Sequence, residues 1–173
     1  LLIQAQGLFK PLPAVAESAD NPISDEKLAL GKLLYFDTRL SKTGNNSCNS
    51  CHNLATYGVD NEPTSPGDAG KRGGRNSPTT FNAALHANQF WDGRAKDLQE
   101  QAAGPVANPL EMGAQWDEVV EKLKQNAEYQ SLFAKLYPHQ GLTKTTITDA
   151  IAVFEQSLVT GNSRFDQYLR GNQ

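Results

Sequence analysis

The pentapeptide Cys48-Asn49-Ser50-Cys51-His52 constrains the fold of this chain more than any other feature, and it holds the only two cysteines among 173 residues. Two thiols three positions apart on one helical turn can add to the two vinyl groups of a haem, and the histidine that follows then presents its imidazole to the iron. The motif predicts covalent haem attachment through Cys48 and Cys51, with His52 as the proximal iron ligand. Such a chain must build its core around a porphyrin.

Other uses of two cysteines and a histidine fit the sequence less well. A structural zinc site usually needs four ligands at paired spacing, and His86 and His139 are distant and unclustered. A thioredoxin-like pair belongs in a βαβ setting, which the flanking sequence lacks. A disulfide across two intervening residues would be strained. We therefore interpret the motif as a site for one haem c.

Composition narrows the class of protein and its compartment. The chain is long enough for one medium domain, its net charge is −3, and its pI is near 5.6. This balance gives no reason to expect nucleic acid or an anionic membrane as partner, and no run reaches 18 apolar residues. The opening Leu1-Leu2-Ile3 lacks a basic n-region, as expected of a mature chain after removal of a signal peptide. Because haem is joined to CxxCH outside the bacterial cytoplasm, we expect a periplasmic protein.

Helical periodicity dominates the chain and predicts an all-α fold. Ser24 is typical of an N-cap before a helix that reaches about Asp37, and another helix is expected from Asp97 to Ala103, ending at Gly104-Pro105. A last helix is expected to begin at a threonine near 145–148 and to end near Gly161. The apolar positions that define three later helices are Trp116, Val119, Val120 and Leu123; Tyr129, Leu132, Phe133 and Leu136; and Ile147, Ile151, Phe154 and Leu158.

One segment breaks the helical pattern. From Thr56 to Thr80 there is little to bury, and glycine and proline are frequent. Loops of this length in a small domain are usually functional or disordered. The positive charges of Lys71, Arg72 and Arg75 could meet haem propionates, whereas the middle of the segment could equally be a solvated loop.

Several stretches, in order along nearly the whole chain, resemble the bacterial di-haem cytochrome c peroxidase family, which includes the MauG-type enzymes. The most specific is the Phe-Trp-Asp-Gly-Arg run, because CxxCH alone is common to many cytochromes. The resemblance is to the amino-terminal half of that family. It implies that residues 1–173 form one cytochrome c-like peroxidatic haem domain, and that a second haem domain is absent from this chain. The matching stretches are 30–37, 39–41, 47–53, 75–79, 89–95, 100–105, 108–112 and 165–169.

The resemblance also implies roles for single residues. Glu111 corresponds to the family's catalytic glutamate on the distal side of the haem, and Gln101 to a glutamine of the same pocket that orients peroxide or water. Trp91 corresponds to a tryptophan between the two haems, an expected electron path. Asn76 corresponds to a residue that helps to hold calcium at the domain interface. From the residues alone, Glu111 and Gln101 could be surface side chains and Trp91 a core aromatic.

The sixth position of the iron is open to two interpretations. Many family members carry a histidine in the long loop that caps the resting iron, but Asp68 stands about where it is expected here. Either the iron is five-coordinate or water-bound, which we favour, or His86 supplies the ligand.

The resemblance implies that hydrogen peroxide is reduced to water with electrons from a small cytochrome c or a cupredoxin through a second haem, in a homodimer at full length. Two alternatives stay open. A non-catalytic electron-transfer cytochrome would need Met112, the only methionine, as iron ligand. A MauG-like oxidase would act on a protein.

Overall fold

Helices and irregular segments make up the computed structural model, which describes residues 1–172, and within that range no β-strand forms. The all-α prediction is confirmed. Short 3₁₀ turns occur at Thr38–Leu40, Leu54–Thr56 and Ala83–Leu85. The α-helices are α1 (Leu2–Leu8), α2 (Asp25–Tyr35), α3 (Cys48–Cys51), α4 (Leu98–Ala107), α5 (Trp116–Lys124), α6 (Ala127–Leu136), α7 (Lys144–Gln156) and α8 (Arg164–Leu169).

Helix α2 begins where the sequence predicts it. The Ser24 side chain accepts a hydrogen bond from the Lys27 backbone N–H at 3.2 Å, and Asp25 and Glu26 lie in the first turn, where the helix dipole favours negative charge. The haem motif forms the short helix α3, also as predicted. Helices α1 and α8, which pack on each other, were not predicted from periodicity.

Helix α4 shows where the sequence-based bounds were wrong. It does not end at Gly104-Pro105 but continues to Ala107. Pro105 removes only one backbone donor. The turn that follows is still closed by the Asn108 N–H, which donates to the Gly104 and Pro105 carbonyl oxygens. The N-cap of α7 is Thr143 rather than a threonine at 145–148, and this helix ends at Gln156, before Gly161.

The hydrophobic core is centred on α2 and α7, which pack closely enough to require a glycine. A Cβ at Gly31 would lie 1.9 Å from the Ala150 carbonyl oxygen, so a larger residue would separate the two helices. Helix α4 also packs on α7. Helices α5 and α6 pack on each other, and α5 contacts α7 while α6 contacts α2. Most of the largest fully buried apolar side chains come from these helices, and Leu40 comes from the first 3₁₀ turn: Leu30, Leu34, Leu40, Val106, Val119, Leu123, Phe133, Ile147, Ile151 and Val153.

The segment from Thr56 to Thr80 is irregular, as predicted, apart from the 3₁₀ turn at its start. One antiparallel bridge between Pro66 and Arg72 closes a small hairpin inside it. The segment runs past the end of the haem motif and forms one wall of a cavity. The other walls come from α3, α4, α7 and the irregular segments 89–94 and 108–112.

Candidate haem site

A cavity of about 590 Å³ opens between the haem motif, the long loop and helices α4 and α7. Its volume lies in the range of pockets that hold cofactors and other small molecules. Cys48, Cys51 and His52 all line it. Neither cysteine is in a disulfide, so both thiols are available to form thioether bonds. The three residues predicted to hold a haem therefore face one space that can accept it.

A hydrogen bond to the backbone orients His52. Its Nδ1 lies 2.8 Å from the Pro78 carbonyl oxygen. A carbonyl oxygen can only accept, so Nδ1 carries the proton and Nε2 of the neutral ring is left as the metal-binding nitrogen. Burial lowers the pKa of His52, which keeps the ring in this neutral form. The residues present thus fit the proximal side of a haem site.

Glu111 is half-buried in the cavity wall beside Asn108, whose side-chain amide donates a 2.6 Å hydrogen bond to Glu111 Oε1. Burial raises the pKa of this carboxyl, although the Asn108 hydrogen bond opposes the shift. A carboxyl that is held in one direction and gives up its proton less readily than an exposed glutamate suits a proton-transfer role near neutral pH.

The long loop fixes the backbone of Glu111. The Asp68 N–H donates to the Glu111 carbonyl oxygen at 2.6 Å, and a Cβ at Gly67 would lie 2.2 Å from the Leu110 carbonyl oxygen. The Asp68 carboxylate accepts hydrogen bonds from the backbone N–H groups of Thr43 and Asn45 at 2.8 and 3.1 Å. Asp68 therefore joins the loop to the segment before the haem motif, and it is not among the residues that line the cavity.

Gln101 and Trp91 also line the cavity. Gln101 projects from α4 and is half-buried. Trp91 lies at the opening and is 64% exposed, and its indole N–H donates to the Asn76 carbonyl oxygen at 2.9 Å. Asn76 is itself exposed, and its side-chain amide donates to the Glu62 carbonyl oxygen. The structure therefore brings Glu111, Gln101, Trp91 and Asn76 to the same cavity as His52.

Charged groups surround the opening next to Trp91. Asp92 accepts from Arg75 and from Arg94, both at 2.8 Å, and the paired arginines hold its pKa well below the usual range. The Arg94 guanidinium also lies over the Phe90 ring, 3.4 Å from the ring centroid. Of the predicted positive cluster, only Arg75 lines the cavity that residues 1–172 form, and Arg94 lines it too. Their guanidinium groups are suited to bind the carboxylates of a haem.

Two other sequence-predicted residues have clear positions. His86 is exposed after the 3₁₀ turn Ala83–Leu85 and does not belong to the cavity lining that residues 1–172 form. Met112 is buried and lines the cavity next to Glu111. Across the described range, His, Cys, Asp and Glu side chains form no group of three that could hold a metal ion, so calcium at Asn76 stays a prediction.

Glu155 is an ionisable residue of the cavity lining to which the sequence analysis gave no role. It lies on α7, is 5% exposed and lines the cavity, and within residues 1–172 its Oε2 has no hydrogen-bond partner. Its position four residues after Ile151 places it on the apolar face of α7, and that spacing was the available signal. An orphaned buried oxygen in the wall of an apolar cavity is a further indication that a polar group belongs inside.

An all-α chain whose CxxCH motif faces such a cavity is a c-type haem domain. The profile of the family described as di-haem cytochrome c peroxidase matches residues 25–173, and the chain belongs to this family. It is 48% identical over 172 residues to the cytochrome c551 peroxidase of Pseudomonas aeruginosa, and this alignment covers 98% of this chain and 50% of that relative. It is 36% identical over 166 residues to the methylamine utilization protein MauG of Methylorubrum extorquens, covering 95% of this chain and 47% of that relative.

A crystal structure of a MauG-like protein associated with microbial copper homeostasis has the same fold, with a TM-score of 0.85 and 33% identity. That match covers 96% of this chain and 50% of the other chain. The family assignment from the sequence and the cytochrome c-like fold are confirmed. The chain spans about half the length of the curated relatives that it matches. None of the helices in the described range is long and apolar enough to cross a membrane.

Proposed function

We propose that this chain is the peroxide-reacting haem domain of a cytochrome c peroxidase. The observation that carries the proposal is the shared cavity, because Glu111 and Gln101 line the space that Cys48, Cys51 and His52 face. In the overall reaction hydrogen peroxide takes up two electrons and two protons, its O–O bond breaks, and two waters form. A haem bound through the motif supplies the redox chemistry of that cleavage.

The protein's own part in this reaction is to bind peroxide and move protons. Cleavage of the O–O bond into water needs a proton transferred from one peroxide oxygen to the other. We assign this transfer to the Glu111 carboxyl, which Asn108 orients. The Gln101 amide, with both donor and acceptor groups, would orient peroxide or water in the cavity. The mostly apolar cavity wall limits competing water.

Electrons would reach the cavity through Trp91. The indole lies at the opening, is 64% exposed, and is held by its hydrogen bond to the Asn76 backbone. An exposed aromatic at the edge of the site suits contact with a second haem domain, which the family resemblance predicts. The donor would be a small cytochrome c or a cupredoxin. A periplasmic location, which the CxxCH motif predicts, belongs to the same proposal. So do a homodimer at full length and calcium near Asn76, which rest on the resemblance.

Rapid mixing of the haem-loaded protein with hydrogen peroxide tests the peroxidase function. We expect the haem absorption to change on mixing with peroxide. We also expect the amount of peroxide consumed to be proportional to the amount of reduced cytochrome c or cupredoxin that is oxidised. A haem spectrum that excess peroxide leaves unchanged, in the oxidised and the half-reduced protein alike, would contradict the proposal.

One observation favours the alternative of a non-catalytic electron-transfer role. Met112 is buried and lines the cavity, so its sulfur is the candidate iron ligand for that role. The charge-transfer absorption of methionine-ligated oxidised haem distinguishes the two functions: its presence supports the electron-transfer role, and its absence supports the peroxidase. Similarity to MauG proteins makes oxidation of a protein substrate the second enzymatic candidate.

A further inference from the structure

Glu155 is an ionisable group that the peroxidase chemistry does not use. Its side chain is carried by α7 into the wall of the cavity, and it is almost completely buried. Among the described residues no donor satisfies its Oε2. Natural proteins rarely leave a buried carboxyl oxygen without a partner, and each such exception calls for an explanation.

The surroundings of Glu155 contain no positive charge that would keep it ionised. From α2 the ionisable group that interacts electrostatically with Glu155 is Tyr35, whose hydroxyl donates to the His52 carbonyl oxygen and whose pKa burial raises well above its ordinary range. From α3 it is Cys48, which is uncharged once it forms a thioether. From α4 the cavity lining near α7 is Leu98, Gln101 and Ala102, which do not ionise.

The remaining ionisable groups of the cavity do not offset the burial of Glu155. His52 is held neutral, Glu111 is another acid, and the arginines at the opening are paired with Asp92. Burial alone raises the pKa of Glu155 to about 8 from an ordinary value near 4.5. An unpaired carboxylate in such a place is costly, so the group holds its proton at neutral pH.

We propose that Glu155 is a proton-binding site linked to the redox state of the haem. When the iron of the bound haem gains one electron from an external reductant, the haem becomes one unit more negative, and the affinity of the Glu155 carboxylate in the same cavity for a proton rises. Between the pKa of Glu155 in the oxidised protein and its higher pKa in the reduced protein, one-electron reduction would therefore be accompanied by uptake of up to one proton from solvent at the carboxylate oxygen. On oxidation the same proton returns to solvent.

The linkage is reciprocal, as coupling between two equilibria must be. A protonated Glu155 stabilises the reduced haem, and an ionised Glu155 stabilises the oxidised haem. The reduction potential should therefore fall as pH rises through the pKa of Glu155. This inference rests on haem attachment at Cys48 and Cys51 but not on peroxide chemistry, so it can fail while the peroxidase function stands, and the reverse.

Redox titration of the haem-loaded, full-length protein between about pH 6 and about pH 10 tests the proposal. We expect the potential of the haem attached to this chain to fall in the upper half of that range. In Glu155→Gln, which keeps the size of the side chain but cannot ionise, the fall attributable to this site should disappear, and the potential should stay near the low-pH value of the parent. Glu118→Gln, an exposed glutamate of α5, is the matched control and should behave like the parent.

A second measurement covers the case in which the glutamine variant fails to fold. The parent protein, reduced in weakly buffered solution near pH 8, should take up protons, and its reduced-minus-oxidised infrared spectrum should show a protonated carboxyl band that shifts in D₂O. Equal pH dependence of the potential in the parent and in Glu155→Gln would overturn the proposal. So would reduction of the parent without proton uptake throughout the tested pH range.

Discussion

The hydrogen bond from His52 Nδ1 to the Pro78 carbonyl oxygen determines which nitrogen of the ring can bind iron. The sequence predicts His52 as a ligand because the five residues of the CxxCH motif contain both the thiols that attach a haem and the imidazole that binds its iron. It does not predict Pro78 as partner, since that contact joins residues 26 positions apart. Similarly, Glu111 and Gln101 were assigned by resemblance, but the Asn108 amide that orients Glu111 was not.

Removal of the Glu111 carboxyl should slow the reaction with peroxide. For Glu111→Gln we expect a rate constant lower by about 10²- to 10⁴-fold, the usual contribution of a general acid–base group. In the parent the basic carboxylate form accepts the proton, so the rate should rise with pH through an apparent pKa above the ordinary 4.5 of glutamate, because burial raises the pKa of Glu111. That rise should be absent in the variant. Stopped-flow absorption over a pH series measures both quantities.

Glu118→Gln serves as the control for this change, because Glu118 is exposed on α5 and far from the cavity lining. Its rate and pH profile should match those of the parent. If Glu111→Gln reacts with peroxide at the parent's rate, a group other than Glu111 transfers the proton.

Asp68 is a second residue whose role only the structure could supply. From the sequence it was notable as the residue that stands where a capping histidine is expected. In the structure its carboxylate accepts two backbone hydrogen bonds, and its N–H donates to the Glu111 backbone. We expect Asp68→Ala to lower the free energy of unfolding by about 1 kcal/mol, since each such bond is worth little at a solvated site.

Limited proteolysis should show faster cleavage of the long loop in Asp68→Ala, measured together with denaturant unfolding of the haem-loaded protein. Asp68→Asn, which keeps one acceptor oxygen, should lose less. Asp117→Ala, an exposed aspartate of α5, is the control. Unchanged cleavage of the loop in Asp68→Ala would contradict the proposed link between the loop and the segment before the haem motif.

At the scale of elements, the helices of the core were largely predictable and their ends were not. Apolar side chains at helical spacing identify α5 and α6 because one face of each is buried, and they identify α7 although this helix is buried on almost all sides. The local sequence predicts that α4 ends at Gly104-Pro105, whereas the helix continues to Ala107. Gly104 lies inside it and packs so closely on the Phe90 ring that a Cβ would lie 3.1 Å away, a contact that no local pattern contains. Glu155 was missed because a single carboxylate in a helix is usually exposed.

The contact between the long loop and the Glu111 segment leads to a prediction for two glycines of that loop. Gly67→Ala places a methyl group 2.2 Å from the Leu110 carbonyl oxygen, whereas a Cβ at Gly73 meets nothing within 4 Å. We expect Gly67→Ala to reduce the free energy of unfolding by about 1–3 kcal/mol, as overpacking does. It should also slow the peroxide reaction, because the Glu111 backbone must move. Gly73→Ala should change neither, and equal effects of the two variants would contradict the contact.

At the scale of the whole molecule, the haem cavity decides whether the chain can fold alone. The cavity of about 590 Å³ lies between α3, α4, α7 and the long loop. Without a porphyrin, the mostly apolar lining of this cavity has no packing partner and loses the dispersion contacts that a filled core would provide. Total stabilities are only about 5–15 kcal/mol. The modest hydrophobic fraction of 38% is therefore consistent with a core that the porphyrin completes.

The double variant Cys48→Ala/Cys51→Ala tests this dependence on haem, because it removes both thioether bonds while leaving His52 in place. Expressed and purified without haem, it should retain helical far-ultraviolet circular dichroism, lose the near-ultraviolet signal of fixed aromatic packing, and unfold without a cooperative transition. Added haem should restore part of the cooperativity through His52. A haem-free variant that unfolds cooperatively with near-parent stability would show instead that α2 and α7 suffice to hold the fold, and that the cavity is preformed.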